Sequence, residues 1–252
     1  MNSILISVRS DSTRLPNKAV LKICGLSTIE YVIRNLKNSK FADKIILCTT
    51  LEESDDVLCE IAEKNGINFF RGSTEDKLER WRGACDKYGV DFFVNVDGDD
   101  LFFDFGLADL VFNQHNKNRA DFIDGRGLYN DVYGISRKGI DLVCENKKNT
   151  DTEFIKTYFD NIGNLIKGEK LINIPLKYQK REIRMTLDYI EDLHFFTVII
   201  KHFKDKKKDL KFEAILDYLE QNPDVVELNW HKEQSWKENQ IRMVSKIKQE
   251  GI

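Results

Sequence analysis

The sequence predicts an α/β fold with a mostly parallel central sheet, on three observations. Short β-branched and apolar runs alternate with longer segments of helical period, the pattern of parallel strands covered by helices. An almost wholly apolar run, Phe92-Phe93-Val94-Asn95-Val96, breaks off abruptly at Asp97-Gly98-Asp99-Asp100, as a buried central strand does on reaching a polar rim. The 252 residues, 41% hydrophobic and 11% aromatic, suffice for one sizeable core, so a single domain is the starting expectation.

Residues 4–8 are expected as the first strand, followed by a polar loop over 9–25. Ser27 and Glu30 have capping-box spacing, and Ile29, Val32, Ile33 and Leu36 share one face of the helix they open. Strands are then expected over 44–49, 68–71 and 92–96, with helices over 54–65 and 76–88. In the middle of the chain, 121–123 and 132–135 read as strands and 152–159 as a helix. A further strand is expected over 182–187, ending at Asp188, then a helix from Ile190 to about Phe203. The charge run at 204–209 is a natural joint before a last helix over 212–219, which Asn222-Pro223 ends. The boundaries that follow are a main domain over 1–204, with an acceptor-binding or dimerisation insertion at about 120–175, and a helical extension over 205–252.

Charged residues make up 32% of the chain but nearly cancel, leaving a net charge of -3. No global field exists to hold nucleic acid or an anionic membrane, so any phosphate affinity must be local. The five cysteines have no C-x-x-C spacing and read as reduced thiols, without nucleophile or disulfide patterning. The start carries no signal-peptide pattern, and apolar runs such as 195–200 fall far short of the roughly 18–20 residues that span a bilayer. A cytoplasmic setting without membrane insertion is expected. His115, His194, His202 and His231 lack metal-ligand spacing, and Trp81, Trp230, Trp236 and Arg184 are expected to pack.

Ligands of open α/β sheets bind beyond the carboxyl ends of the strands. The loop after Val8 and the acidic turn after Val96 are both expected there, on one rim. The first of these, Arg9-Ser10-Asp11-Ser12-Thr13-Arg14-Leu15-Pro16-Asn17-Lys18, combines cations with small hydroxyl residues. Arg14 offers a planar fork and Lys18 a compact charge, a combination suited to a triphosphate that leaves as pyrophosphate. Taken alone, the loop reads equally well as a solvated basic segment.

The order Arg-x-x-Ser-x-Arg-Leu-Pro-x-Lys resembles the signature of cytidylyltransferases that make CMP-linked acidic sugars, including the CMP-Kdo synthetase group and most closely the spore coat polysaccharide biosynthesis protein F-like branch. The resemblance implies a three-layer, Rossmann-like (GT-A-like) nucleotidyltransferase fold. It also implies nucleotide contacts at Val8, Arg9, Ser10, Ser12, Arg14 and Lys18. This chain departs from the pattern at Asn17, where the family commonly has glycine, and at Val8, where alanine is common. Downstream, Arg71-Gly72-Ser73 is similar to the branch's nucleotide-side segment and adds Arg71 and Ser73, with Arg80 beside them; Ser73 reads equally well as a helix cap and Arg80 as a surface helix residue. The acidic turn resembles the family's metal turn, which implies Asp99 as a ligand and leaves Asp97 as a nucleotide-side residue. Ile183-Arg184-Met185-Thr186-Leu187-Asp188 is similar to the late segment whose aspartate supplies the second metal carboxylate, here Asp188. Alone, Asp188 reads equally well as a helix cap.

The resemblance therefore implies an Mg²⁺-dependent transfer of CMP from CTP to a small sugar-like acceptor, with Arg14, Lys18, Asp99 and Asp188 catalytic and the metal on Asp99 and Asp188. A homodimer is implied as well. The match is weakest over 124–175, where the acceptor should bind and where the family's glutamate-histidine pair is replaced by Asp151-Thr152-Glu153-Phe154. Two rivals stay open. Asp97-Gly98-Asp99 also fits the Asp-x-Asp pattern of glycosyltransferases that hold a metal-bound nucleotide sugar, and the departures at Asn17, Leu101 and Phe154 suit a non-catalytic nucleotide-binding protein.

Overall fold

The computed structural model describes residues 1–150, 152, 154–179, 182–239 and 241. Strand β1 (Asn2–Ser7) leads, through a loop and the short hairpin of β2 (Lys22–Ile23) and β3 (Leu26–Ser27), into α1 (Thr28–Leu36). The alternation continues with β4 (Lys44–Thr50), α2 (Asp56–Lys64), β5 (Asn68–Gly72), α3 (Lys77–Tyr88) and β6 (Phe92–Asp97). Next come α4 (Phe105–Asn118), β7 (Phe122–Gly125), β8 (Val132–Ser136), α5 (Arg137–Asn146), α6 (Ile155–Asn161) and β9 (Gly168–Lys170). Helices α7 (Ile190–Asp205), α8 (Phe212–Gln221) and α9 (Pro223–Trp230) follow, and residues 232–239 are helical too.

Seven strands form one sheet in the order β5-β4-β1-β6-β8-β7-β9. The first four run parallel, β8 is antiparallel to both neighbours, and β9 pairs parallel with β7. Alternation along β1 sends Ile4 and Ile6 to one face and Leu5 to the other, as the two-residue period of a strand requires. Helices α1, α2, α4, α7 and α8 cover the first face; α3, α5 and α6 cover the second. The result is a three-layer sandwich with a mostly parallel centre. Phe212, Ile215, Leu216 and Leu219, which follow the charge run, join the same apolar cluster as Ile4 and Ile6.

The chain steps outward from β1 to β4 and β5, then crosses back to lay β6 on the other side of β1. Strand order therefore reverses between β1 and β6, and the crevice above their carboxyl ends is where such sheets bind ligands. Register brings the rim together, because Ser7 at the end of β1 stands opposite Asp97 at the end of β6. The Gly98 N–H donates to the Ser7 carbonyl at 2.9 Å. A Cβ on Gly98 would lie 2.7 Å from the Val8 Cβ, so only glycine lets the two rim loops meet this closely.

Two expectations are corrected. Residues 182–187 form no strand: Leu187 donates one backbone hydrogen bond to the Asp99 carbonyl at 3.0 Å, but both sides of β6 are already taken, by β1 and β8. The apolar pattern there reports the burial of Met185 and Leu187 rather than pairing. At the other site, Pro223 does not merely end a helix. It opens α9 in the first turn, where its missing N–H would be unused in any case. The helix expected over 152–159 begins at Ile155; Thr152 is not helical, and Asp151 and Glu153 lie outside the described residues, as do 240 and 242–252 of the expected extension.

The contact between the rim loops gives a direct test. Gly98→Ala should destabilise the fold by about 1–3 kcal/mol through overpacking, measured by urea unfolding. Val8→Gly in the same chain, which removes both the Cβ and the Cγ2 that the new methyl would meet, should relieve part of that loss, so that the double variant is more stable than the sum of the singles; strict additivity would mean that the two loops do not press on each other.

Candidate active site

The loop after β1 is built to present Lys18. Val8 extends the ladder by donating to the Cys48 carbonyl at 3.2 Å, and the Ser10 N–H then donates to Asp55 Oδ1 at 2.7 Å. The loop curls back on itself as the Asn17 N–H donates to the Ser10 carbonyl at 3.3 Å and the Lys18 N–H to the Leu15 carbonyl at 3.2 Å. Closing the curl places Asn17 at φ 57°, in the left-handed region that asparagine tolerates better than most residues. Lys18 then enters a single 3₁₀ turn, and the Thr28 hydroxyl at the head of α1 donates to its carbonyl.

From this position the Lys18 ammonium donates to Asp99 Oδ2 at 2.6 Å and to Asp188 Oδ1 at 3.0 Å. Arg14 Nη2 reaches the same Asp188 oxygen at 2.5 Å. Four groups drawn from the β1 loop, the β6 turn and the segment before α7 thus meet at one rim. Asp188 is the buried member, with 3% of its side chain exposed, whereas Asp99 keeps 24% open. From behind, Arg184 Nη2 donates to Asp188 Oδ2 at 3.0 Å.

The electrostatics follow from that geometry. Burial works against the Lys18 ammonium, but Asp99 and then Asp188 outweigh it and hold its pKa above the ordinary value. Burial likewise opposes ionisation of Asp188, yet Lys18 and Arg14 bring its carboxyl below the usual range. Asp99 is pushed up, by burial and by the charges of Asp188 and Asp97, against the pull of Lys18. Asp100 is raised well above the usual range by burial and then by Asp99 and Asp97.

The other expected site residues are placed differently. Asp97 Oδ1 accepts from Lys77 Nζ at 2.6 Å rather than from Lys18, and Lys77 also lies over the Trp81 ring. Arg71 sits on the same rim but directs its guanidinium into the β4–α2 connection, at the Thr50 and Glu52 carbonyls and the Asp56 carboxylate. Ser73 Oγ accepts from the Asp76 N–H at 3.0 Å, and Asp76 itself caps α3. Arg80 donates to the Ser73 carbonyl. Arg9 is exposed, Ser12 Oγ accepts from the Leu15 N–H at 3.4 Å, and the Ser10 hydroxyl is buried with no hydrogen-bond partner.

Two residues escaped the sequence reading. Lys77 stands one place past the cap of α3, where it looks like any first-turn residue. Asp55 reads as part of a helix start, but it is the anchor of the curl: its Oδ2 accepts from the Thr49 hydroxyl at 2.7 Å, the Thr50 N–H at 3.1 Å and the Thr50 hydroxyl at 2.5 Å. The signal available was the pair Thr49-Thr50 followed closely by a carboxylate. His115 is structural, stacked on Phe92 with ring centroids 3.6 Å apart, and the cysteines are free, with burial pushing the Cys48 thiol up to about 12.

As for a metal, no group of three or more His, Cys, Asp or Glu side chains arranged to hold one occurs among the described residues. A pair of carboxylates gripping one cation does occur, and Mg²⁺ beside a triphosphate needs no more than one or two, with phosphate and water oxygens supplying the rest. The donor set therefore fits that ion.

The family model for cytidylyltransferases matches residues 3–223. The chain belongs to the cytidylyltransferase family. It is similar to the spore coat polysaccharide biosynthesis protein SpsF of Bacillus subtilis, 24% identical over 237 residues that cover 89% of this chain and 97% of that protein. A solved cytidylyltransferase of Leptospira borgpetersenii superposes with a TM-score of 0.78 at 26% identity, over 89% of this chain and 96% of that one. The CMP:2-keto-3-deoxy-manno-octonic acid synthetase solved with CTP shares the fold, with a TM-score of 0.64 at 12% identity over 80% and 98% of the two chains. Family membership makes the chain a nucleotidyltransferase, with the cluster at the β1–β6 rim as its candidate centre. No helix among the described residues is long and apolar enough to cross a membrane.

Asp55 supplies a pH test of the curl. Burial raises its pKa, but donation from Thr50, Ser10 and Thr49 outweighs that and holds the carboxyl below its ordinary range. A depressed folded-state pKa contributes stability that is fully present above the unfolded value, about 3.9, and is lost as pH falls through the folded one. Asp55→Asn should therefore unfold at lower denaturant than the parent at pH 7, by about 1–3 kcal/mol, with the difference shrinking below about pH 4. A pH-independent difference would mean that the carboxylate charge is not what holds the loop.

Proposed function

We propose that the chain transfers CMP from CTP to a small sugar-like acceptor and releases pyrophosphate, with Mg²⁺ held by Asp99 and Asp188. The observation that carries this reading is the sharing of one ammonium by two carboxylates from distant parts of the chain. The two loop cations are matched by the two carboxylates, which leaves little positive charge for a triphosphate. Asp99 and Asp188 would hold the ion, which would supply Lewis acidity toward the α-phosphate; with those carboxylates so engaged, Lys18 and Arg14 would be free to face phosphate oxygens.

The remaining work falls to the chain. Lys18, on a four-carbon stem, turns its ammonium toward the departing β- and γ-phosphates, and Arg14 follows with its planar fork. The Ser10 hydroxyl and the curl's backbone hold the triphosphate in register with β1. An acceptor oxygen then bonds to the α-phosphorus, its proton passing to solvent where it is a hydroxyl, as the bond to the bridging oxygen breaks and the electron pair leaves with pyrophosphate. No covalent enzyme intermediate is needed, and the rate comes from alignment and charge neutralisation. Choice of CTP and of an acidic sugar acceptor is supported by the family and by its relatives, one named for CMP transfer to a keto-deoxy sugar acid and one for polysaccharide biosynthesis. Action in the cytoplasm belongs to the same reading. So does a homodimer, supported by the exposed Leu165, Ile172 and Leu176 in the middle segment.

The test is a pyrophosphate-release screen of each nucleoside triphosphate against acidic sugars and sugar phosphates, with Mg²⁺. Release from CTP alone, dependent on one acceptor class, is expected; transfer from a nucleotide sugar without pyrophosphate would overturn the reading. Asp99→Asn and Asp188→Asn should each lower kcat/KM by at least about 100-fold, with circular dichroism unchanged.

A further inference from the structure

Asp188 lies on a segment without a strand ladder, so the sheet does not fix its side chain. Its Oδ1 meets Lys18 and Arg14, while Oδ2 meets Arg184 four residues earlier. The Arg184 guanidinium is 1% exposed and is held on every edge. Its Nε donates to Asp192 Oδ1 at 2.9 Å and its Nη2 to Asp192 Oδ2 at 3.2 Å, while Nη1 donates to Glu233 Oε2 at 3.3 Å. It also lies over the rings of Tyr189 and Trp236, with the guanidinium carbon 5.4 and 5.6 Å from the ring centroids. Asn229 Nδ2 closes the cage, donating to the Arg184 carbonyl at 3.2 Å and to Asp192 Oδ1 at 2.8 Å. Asp192 Oδ2 in turn accepts from the backbone N–H groups of Asp188 and Tyr189.

Three members of this cage, Asn229, Glu233 and Trp236, come from beyond residue 223, where the family match ends. An apolar cover would stabilise a core at less cost than buried charge, since desolvating an ion pair offsets much of its attraction. A fixed guanidinium fork, by contrast, has a geometric use. It presents one N–H to one oxygen of Asp188 and leaves the other oxygen facing the rim.

We propose that Asn229, Glu233 and Trp236 are positioning residues for Asp188, acting through Arg184, so that the carboxy-terminal helices complete the metal carboxylate. This rests on the reading of Asp188 as a metal ligand. Without Glu233, Nη1 has no acceptor and the fork turns further onto Asp188 and Asp192, which takes Asp188 out of its rim-facing pose.

The experiment titrates Mn²⁺ into the full-length chain with CTP and no acceptor, following free Mn²⁺ by electron paramagnetic resonance at a temperature where circular dichroism shows each variant folded. Glu233→Ala should weaken Mn²⁺ binding about tenfold, the lower end of what loss of a partner behind a metal ligand costs. Glu233→Gln, which keeps an oxygen acceptor, should recover most of that loss. A folded Glu233→Ala chain that binds Mn²⁺ as the parent does overturns the proposal. If that variant does not fold, Trp236→Leu replaces it, with the same expected and overturning results. Asp188→Asn, run in parallel, separates the two levels: weakened binding there with unchanged Glu233→Ala sinks the relay alone, and unchanged binding in Asp188→Asn sinks the ligand reading and the relay together.

Discussion

Like charges have to be held together where β1 and β6 lie side by side, and much of the architecture bears on that constraint. Two carboxylates that reach the same ammonium repel each other, and more strongly the less water lies between them. Lys18 offsets this by standing between Asp99 and Asp188, and Arg14 and Arg184 add charge on two further sides of Asp188. An arrangement of this kind is poised to exchange one cation for another. On the proposed reading that property, more than any single residue, would let the rim take a metal-bound triphosphate.

Each contributor is held by a different device. Register with β6 brings the end of β1 level with the acidic turn, and Gly98 removes the side chain that would push the two loops apart. Asp55 draws the start of the curl toward β4, and Asn17 turns its end, so that Lys18 points inward. Asp188 has no sheet behind it and depends on the cage around Arg184. The three carriers of charge are thus fixed by a sheet, a loop and a helical cover, and the site exists only where all three meet.

Much of this was legible in the sequence because it has local causes. The capping box at Ser27 and Glu30 is present, and Ile29, Val32, Ile33 and Leu36 are all buried, as their spacing requires. The buried strand ending in an acidic turn appears as β6, and the left-handed Asn17 appears where the departure from glycine asked for it. The losses have physical reasons. Residues 182–187 carry a strand's apolar pattern, but pairing depends on a free sheet edge, which no local pattern reports. Arg71 and Asp97 sit on the rim as expected; what no spacing reported is their partners there, Asp56 and Lys77, which lie 15 and 20 residues away in the chain. Asp55 and Glu233 act through contacts 45 and 49 residues distant, beyond the reach of any periodicity.

Crystals grown with CTP and Mn²⁺, and measured at the manganese absorption edge, would address the shared-cation claim most directly. The account predicts a manganese peak within bonding distance of carboxylate oxygens from both Asp99 and Asp188, with the Lys18 ammonium moved onto phosphate oxygen. Bound CTP with Lys18 still lodged between the two carboxylates, and manganese elsewhere, would contradict it.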